Sequence, residues 1–520
     1  MFFGGQLMNW YKLATFICYL VGMLGIGIFF FFKSKDKSEK DYFLGGRNMN
    51  GLVAAFSAGA SDMSAWVLMG LPGAIYVSGL SQVWISVGLI LGTIIAWIFV
   101  APRLRRFAIV ADDAITIPEF LTKRFKETNP ALRIACAVIF VIGYCVYTAS
   151  SIVACGDVFV AIMPAAKDYK LIVEIVAGCV IVLYTLLGGF NAVCWTDLFQ
   201  GMLMLMALMI VPIIAASMLS VGGPVEGAIV VTPDSYYDIF AGETVWQSIA
   251  NVLTGLGWGL GYFGMPHILV RYMSVKSEKE MKKSQTIGIV WIIIILAMAT
   301  IAALIAHEFL GNTVTASEKS TVFIKMIDAI FDKGALAILG GIFLSAIVAA
   351  SMSTADSQLL ASSSAFSSDI YKAAIKKNAS DKEMLWVGRI AVAIILVIAI
   401  LIALFASQDI MSLVSAAWSI FGAAFGPTIL LSLFWKRFNY QGACWGIISG
   451  FIVSVLWMVL FNFEYYGFKS VVANTYLYEI IPGFIVGLIV AVIVTLTTKA
   501  PSQEVVQLFE KVDAYKESEQ

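Results

Sequence analysis

Thirteen long apolar runs separated by short polar connectors make up most of this chain, at residues 11–32, 50–77, 82–102, 133–163, 171–188, 191–220, 245–268, 284–306, 335–366, 387–406, 411–434, 441–462 and 477–498. About 20 apolar residues carry an α-helix across a bilayer, so the pattern predicts thirteen membrane-spanning helices. Two runs carry a break. The second contains Ser57-Ala58-Gly59-Ala60-Ser61-Asp62-Met63-Ser64, a carboxylate and three hydroxyls among residues too small to cover the backbone. The seventh has five glycines and Pro266 within residues 255–266, which no regular helix accommodates without cost. Unsatisfied backbone survives at membrane depth only when buried in protein or lining a wet cavity.

The composition agrees: 60% of the 520 residues are hydrophobic, 13% are charged and mean hydropathy is +0.89. Soluble domains carry about a quarter charged residues. Net charge is zero, yet 27 of the 34 Lys and Arg residues fall on one side if the N-terminus is outside and the C-terminus inside. They lie between Lys33 and Arg47, Arg103 and Arg133, Arg271 and Lys283, Lys372 and Arg389, at Lys436 and Arg437, and in the tail. The positive-inside rule therefore predicts a multi-pass protein of the cell membrane with a cytoplasmic C-terminus. The stretch from Leu13 to Phe32 reads as a retained helix rather than a leader. An extracellular loop with short helices is expected between the sixth and seventh runs, and an amphipathic tail after Pro501.

Seven cysteines without CxxC or Cys/His spacing predict neither a disulfide framework nor a zinc site. With only His267 and His307 present, and no P-loop, catalytic or nucleotide chemistry has little to work with. The expectation is no enzyme, no organic cofactor, no nucleic-acid partner and no obligate protein partner; the bilayer is the surrounding medium.

The two breaks are five spans apart, and interruptions at matching positions of two halves point to an inverted-repeat transporter with its site at the midplane. The expected division is 1–50 as a peripheral first helix and loop, 51–220 as the first repeat, 221–434 as the outer loop and second repeat, and 435–520 as peripheral spans and tail. An intramembrane Asp such as Asp62 is a functional-site candidate by default. In the ninth span, Ala350, Ser353 or Thr354, and Ser357 share a helix face. Its hydroxyls and carbonyls could join carbonyls released near Asp62 around a small cation, or the serines could bond back to their own helix. Asp197 and Asp356 could pair, cap or hold a cation. Trp66, Tyr147, Trp258 and Tyr262 are candidates to wall a pocket.

Five segments carry a closer resemblance: SAGASDMSAWVLMGLPGA from Ser57, WTDLFQ from Trp195, GWGLGYFGMPHILVRYM from Gly257, AASMSTADSQLL from Ala349 and FGAAFGP from Phe421. They are similar, in order, to the sodium:solute symporter family, and the likeness runs from about Tyr42 to Ser502. The resemblance implies an all-α integral membrane protein with a five-plus-five inverted-repeat core of the LeuT type, driving uptake of L-proline with inward Na⁺ movement. It implies one Na⁺ between the second and ninth spans, held by the carbonyls of Ala60, Met63 and Ala350 and the hydroxyls of Ser353 and Thr354. Asp62, Ser64, Trp66, Tyr147, Trp258, Tyr262 and Pro266 match substrate-side positions, and Asp197, Asp356 and Ser357 match a second cation site found in some relatives. Three residues depart from the proline-transporting pattern: Ala65 for Gly, Met265 for Gln and Ser357 for Cys. Another small carboxylate such as pantothenate is the alternative substrate, with Na⁺ or H⁺ as the driving ion. A channel or facilitator is the alternative of another class.

Overall fold

The computed structural model describes residues 9–33, 39–405, 409–466 and 469–515. Lys35, Lys37, Lys516 and the predicted span end at 406 lie outside them. Among the described residues every regular element is helical, apart from one isolated bridge between Met49 and Val275.

In chain order, α1 (Trp10–Lys33) and the short α2 (Glu39–Leu44) lead to α3 (Gly51–Asp62) and α4 (Leu71–Ser78), the two limbs of the first broken span. With the turns from Trp66 that lead into α4 counted in the second limb, the two are bent by 58°. α5 (Val83–Ile95) continues through a wide turn into α6 (Ala101–Val110), and the short α7 (Ile117–Arg124) follows. α8 (Ala131–Ile162) precedes α9 (Lys170–Gly222), which turns at Gly189, where φ is +59°. The second broken span comprises α10 (Val245–Gly257), a tight 3₁₀ segment (Trp258–Phe263) and α11 (Pro266–Ser274). Then come α12 (Glu278–Leu310), α13 (Val322–Phe331), α14 (Leu336–Ser364), α15 (Asp381–Phe405), α16 (Ile410–Phe434), α17 (Tyr440–Trp457), α18 (Ile480–Thr497) and α19 (Gln503–Asp513).

Ten helices among the described residues are long and apolar enough to cross a membrane, or eleven with the bent pair α3–α4 counted as one. Of the other predicted spans, 171–188 is the first limb of α9, and 245–268 is divided between α10 and α11. The loop 223–244 contains turns and no helix, against expectation, because Gly223, Pro224, Gly227 and Pro233 interrupt it. It is held by Tyr236, whose hydroxyl donates to Ile75 O at 3.1 Å and whose ring stacks on His307 at 3.9 Å. The tail does form an amphipathic helix, with Val505, Leu508, Phe509 and Val512 of α19 buried.

Local chemistry explains the ends and breaks. A helix leaves its first amides without partners. Asn50, Thr244 and Ser277 accept those of Val53, Gln247 and Glu280 at 3.0–3.2 Å, opening α3, α10 and α12. At the first break Met63 leaves helical geometry (φ −80°, ψ 72°). The Val67 amide, which would close a turn on Met63, donates instead to Ser64 O at 3.1 Å. At the second break, the amides of Gly264 and Met265 both donate to Gly261 O, at 2.9 and 3.1 Å. Pro266, lacking an N–H, then starts α11 where none is needed.

Glycines let the broken span sit close to its neighbours. A Cβ on Gly88 or Gly92 of α5 would strike the backbone of Gly255 or Gly259, so two small-xxx-small faces meet directly. Gly261 instead makes room for the Trp418 indole. Seven-span glycines thus serve both close packing and the break.

The ends of α3 and α11 are tied together where basic residues concentrate. Met49 donates to Ser274 O at 3.2 Å, and Lys276 donates to Met49 O at 2.9 Å. Arg105 donates to Val275 O and Lys276 O at 2.7 Å each, and Arg47 spans from Met273 O (2.6 Å) to Asp113 (2.6 Å). Burial alone would raise the Asp113 carboxyl, but Lys40 and Arg47 beside it hold it below its ordinary range.

Because a methyl on Gly261 has no space beside Trp418, Gly261→Ala should lower thermal stability by about 1–3 kcal/mol, the usual cost of overpacking. Gly25→Ala, where nothing lies within 4 Å, should leave it unchanged. Thermal unfolding of the two purified variants by tryptophan fluorescence checks this.

Candidate functional site

The residues predicted to hold an ion lie where α14 crosses the end of α3. The Ser353 hydroxyl reaches Ala60 O at 2.9 Å and Ala350 O at 3.1 Å, so one side chain joins the broken helix to α14. The neighbouring Thr354 hydroxyl oxygen is buried and makes no hydrogen bond. Met63 follows Asp62 at the point where α3 ends. Three oxygens of the predicted set, from Ala60, Ala350 and Ser353, are thereby brought to one crossing, with Thr354 the next residue along α14. Such an arrangement of hydroxyls and carbonyls without a carboxylate suits a hard monovalent cation, since hard cations take oxygen ligands.

The substrate-side candidates gather on the other face of the same break. The Asp62 carbonyl accepts the Trp66 indole N–H at 3.1 Å and the Tyr147 hydroxyl at 3.3 Å. Its carboxylate accepts a short hydrogen bond from Tyr262, linking the two broken spans, while Oδ1 is buried without a partner. The Ser64 hydroxyl accepts the Trp66 amide at 3.4 Å inside the break. Trp66 stacks on Trp258 at 6.0 Å, and Trp258 stacks on Tyr478 at 5.1 Å. Trp418 closes the group: its indole donates to Trp258 O at 2.8 Å, and Tyr262 meets it edge-on at 5.3 Å. Pro266 stands apart as the first residue of α11, next to the fully buried Met265. Trp66, Tyr147, Trp258 and Tyr262 are each at most 3% exposed, so the aromatic group is shut off from both faces.

Trp418 and Tyr478 were missed in the sequence. Trp418 carries a signal: it sits mid-span among small residues, far from the membrane interfaces where tryptophans usually collect. Tyr478 precedes α18 and gives none.

Asp197 and Ser357 both meet a residue assigned from the sequence to a basic loop, and Asp356 reaches the group through Ser357. Arg271 lies on α11, 1% exposed. Its guanidinium donates to Ser57 Oγ at 3.1 Å and His267 O at 2.8 Å, makes a short bond to Ser357 Oγ, and lies 3.4 Å from Asp197. Asp197 accepts the Ser57 hydroxyl at 2.6 Å, and Asp356 accepts that of Ser357 at 3.1 Å. The predicted run ended at 268, but α11 continues to Ser274 and carries this charge inward. All seven cysteines are free, and no group of three or more His, Cys, Asp or Glu side chains suited to a metal occurs among the described residues.

A multi-pass helical bundle with two interrupted spans meeting at a buried polar junction is the arrangement expected of a secondary transporter. The chain belongs to the sodium:solute symporter family, which it matches over residues 42–450. It is 41% identical to the osmoregulated proline transporter of Bacillus subtilis (strain 168), over 94% of this chain and 96% of that protein. It is 40% identical to the sodium/proline symporter of Escherichia coli (strain K12), over 97% and 96% respectively. Among solved structures, the substrate-bound outward-open state of a Na⁺-coupled sialic acid symporter superposes with a TM-score of 0.72 at 19% identity, covering 95% of this chain and all of that one. The fold is therefore the all-α, LeuT-type architecture.

Removing Arg271 alone leaves the Asp197 carboxylate buried and uncompensated, which costs about 3–5 kcal/mol. Arg271→Met should fail to give a monodisperse protein by size-exclusion chromatography. Arg271→Met with Asp197→Asn should recover much of the yield.

Proposed function

We propose that this chain imports L-proline by coupling it to inward Na⁺ movement through alternating access. The observation that carries the reading is the Ser353 hydroxyl joining Ala60 O to Ala350 O beside the unpartnered Thr354 oxygen. A hydroxyl donates one hydrogen and accepts through two lone pairs. Without Na⁺, Ser353 satisfies the loosened carbonyl of Ala60. With Na⁺, the same oxygen turns its lone pairs to the ion, and the carbonyls of Ala60, Met63 and Ala350 with the Thr354 hydroxyl complete the shell. Na⁺ binding thus stiffens the junction between α3 and α14.

Proline supplies a carboxylate, an ammonium and an apolar ring. In this reading its carboxylate faces the amides of the break near Ser64, where freed backbone N–H groups favour an anion. Its ring lies against Trp66, Trp258 and Tyr262, and the Asp62 carboxylate faces the ammonium. Relatives at 37–41% identity that are named proline transporters or sodium/proline symporters support this substrate. Arg271 lies against Asp197 and Ser357, two of the three residues of the possible second cation site, which supports a reading of one coupling Na⁺ per cycle. One charge moving down 100 mV supplies about 2.3 kcal/mol. At about 1.4 kcal/mol per decade this sustains a gradient of roughly 50-fold before any Na⁺ gradient is added. The concentration of basic residues supports a cytoplasmic C-terminus.

Uptake of labelled proline into proteoliposomes, with an inward Na⁺ gradient against a K⁺-only control, tests the reading. Concentrative uptake is expected with Na⁺ alone; uptake that follows a pH gradient and ignores Na⁺ would overturn the ion assignment. Ser353→Ala and Thr354→Ala should each raise the Na⁺ concentration for half-maximal uptake about tenfold, with the preference for proline over pantothenate unchanged. An unaltered Na⁺ dependence in both variants would remove the site from α14.

A further inference from the structure

A groove of about 380 Å³ opens beside the transport bundle at its basic end, between α6 and the first turns of α12, with Phe434 at the end of α16. That volume falls within the roughly 300–1,000 Å³ of small-molecule sites. Four cationic side chains line it, Arg103, Arg105, Arg106 and Lys282, against the single carboxylate Glu278. They are not equally committed. Arg105 is buried and holds the carbonyls of Val275 and Lys276. Arg103 bonds Leu433 O and Asp513 and lies over Phe434 and Phe509. Arg106 is about a third exposed, and among the described residues its guanidinium bonds Glu278 through Nε, at 2.7 Å. Lys282 is exposed, and its ammonium has no partner among the described residues.

The outer wall of the same groove is apolar. Ile98, Phe99 and Phe434 are 46%, 58% and 48% exposed and point away from the protein. Ile98 and Phe99 precede Arg103 by about one helical turn, so apolar and cationic surface adjoin along the groove.

We propose that this groove seats one anionic phospholipid of the adjoining leaflet. Its phosphate lies between Arg106 and Lys282, and its acyl chains run along Ile98, Phe99 and Phe434. Arg and Lys bind phosphate oxygens through charge-assisted hydrogen bonds, and basic pockets between membrane helices favour anionic headgroups. A zwitterionic headgroup would bring an ammonium against the same cations. A free phosphate has nothing to set on the apolar wall. The lipid would bridge α6 to α12, next to Arg105, which carries the strap of backbone joining α3 to α11.

The test is native mass spectrometry of the full-length protein in detergent, incubated with phosphatidylglycerol or with phosphatidylcholine of matched chains. Phosphatidylglycerol should be retained about tenfold more than phosphatidylcholine. Arg106→Gln with Lys282→Gln should abolish that preference, and Lys377→Gln with Lys382→Gln, elsewhere at the basic end, should preserve it. Lys282→Gln alone, at an exposed site where folding is not at stake, should cut retention about threefold. Equal retention of the two lipids, or undiminished phosphatidylglycerol in the Arg106/Lys282 variants, would overturn the proposal. So would displacement of phosphatidylglycerol by millimolar inorganic phosphate, which would mark a free-anion site instead.

Discussion

Everything in this bundle follows from the cost of leaving a backbone polar group unpaired at membrane depth, several kcal/mol for each group. Interrupting a spanning helix frees amides and carbonyls with no water to take them. At the first break those groups are taken up by protein: Ala60 O by Ser353, and Asp62 O by Trp66 and Tyr147. The helices α8 and α14 are thereby fixed around the break by hydrogen bonds that an unbroken helix would not offer. Apolar packing fills the spaces between the spans, but in lipid it does not choose among their arrangements as it would in water, because the tails are as apolar as the side chains. The breaks supply the directional contacts that do choose.

Charge obeys the same rule. Asp197 and Arg271 are both buried, and an isolated ion in hydrocarbon would be expensive. Arg271 is met by Ser57, Ser357 and the His267 carbonyl, and Asp197 accepts the Ser57 hydroxyl through one oxygen while its Oδ1 has no partner among the described residues. A buried ion pair contributes little to stability on its own, since desolvation offsets the attraction. Its use here is positional: it locks α11 to α9, α3 and α14 at one point, and the basic strap of Met49, Arg47 and Arg105 locks the ends of α3 and α11 a few turns away.

Much of this was legible in the chain because the relevant signals are local. The glycines of 255–266 and the polar run around Asp62 mark their breaks without any partner being known, and the hydroxyls of α14 mark a face by helical spacing. The aromatic quartet was half legible: Trp66 and Trp258 lie inside the breaks, whereas Trp418 and Tyr478 join only because α16 and the residues before α18 fold back over them. Arg271 was misplaced for a similar reason. Three residues past the apolar run, it reads as loop, and only the extension of α11 beyond Pro266 turns it inward. The turns of 223–244 were expected as helix because length and polarity do not separate a pinned coil from a short helix. Its anchor, the contact of Tyr236 with His307, spans 71 positions.

The ion-side and solute-side groups are not two sites that must signal across a distance. Ala60, whose carbonyl meets Ser353, and Asp62, whose carbonyl meets Trp66 and Tyr147, are two residues apart on the last turn of α3. Under the proposed reading, Na⁺ at the first carbonyl and proline beside the second each favour one setting of that turn. Coupling is then reciprocal by linkage: each ligand tightens the other by the same factor. Its size is bounded by how far the turn can move. Because Asp62 also joins Tyr262 in the other broken span, that movement cannot stay local. A change of setting at four residues, Ala60 to Met63, must carry both interrupted helices with it, which is the motion that alternating access requires.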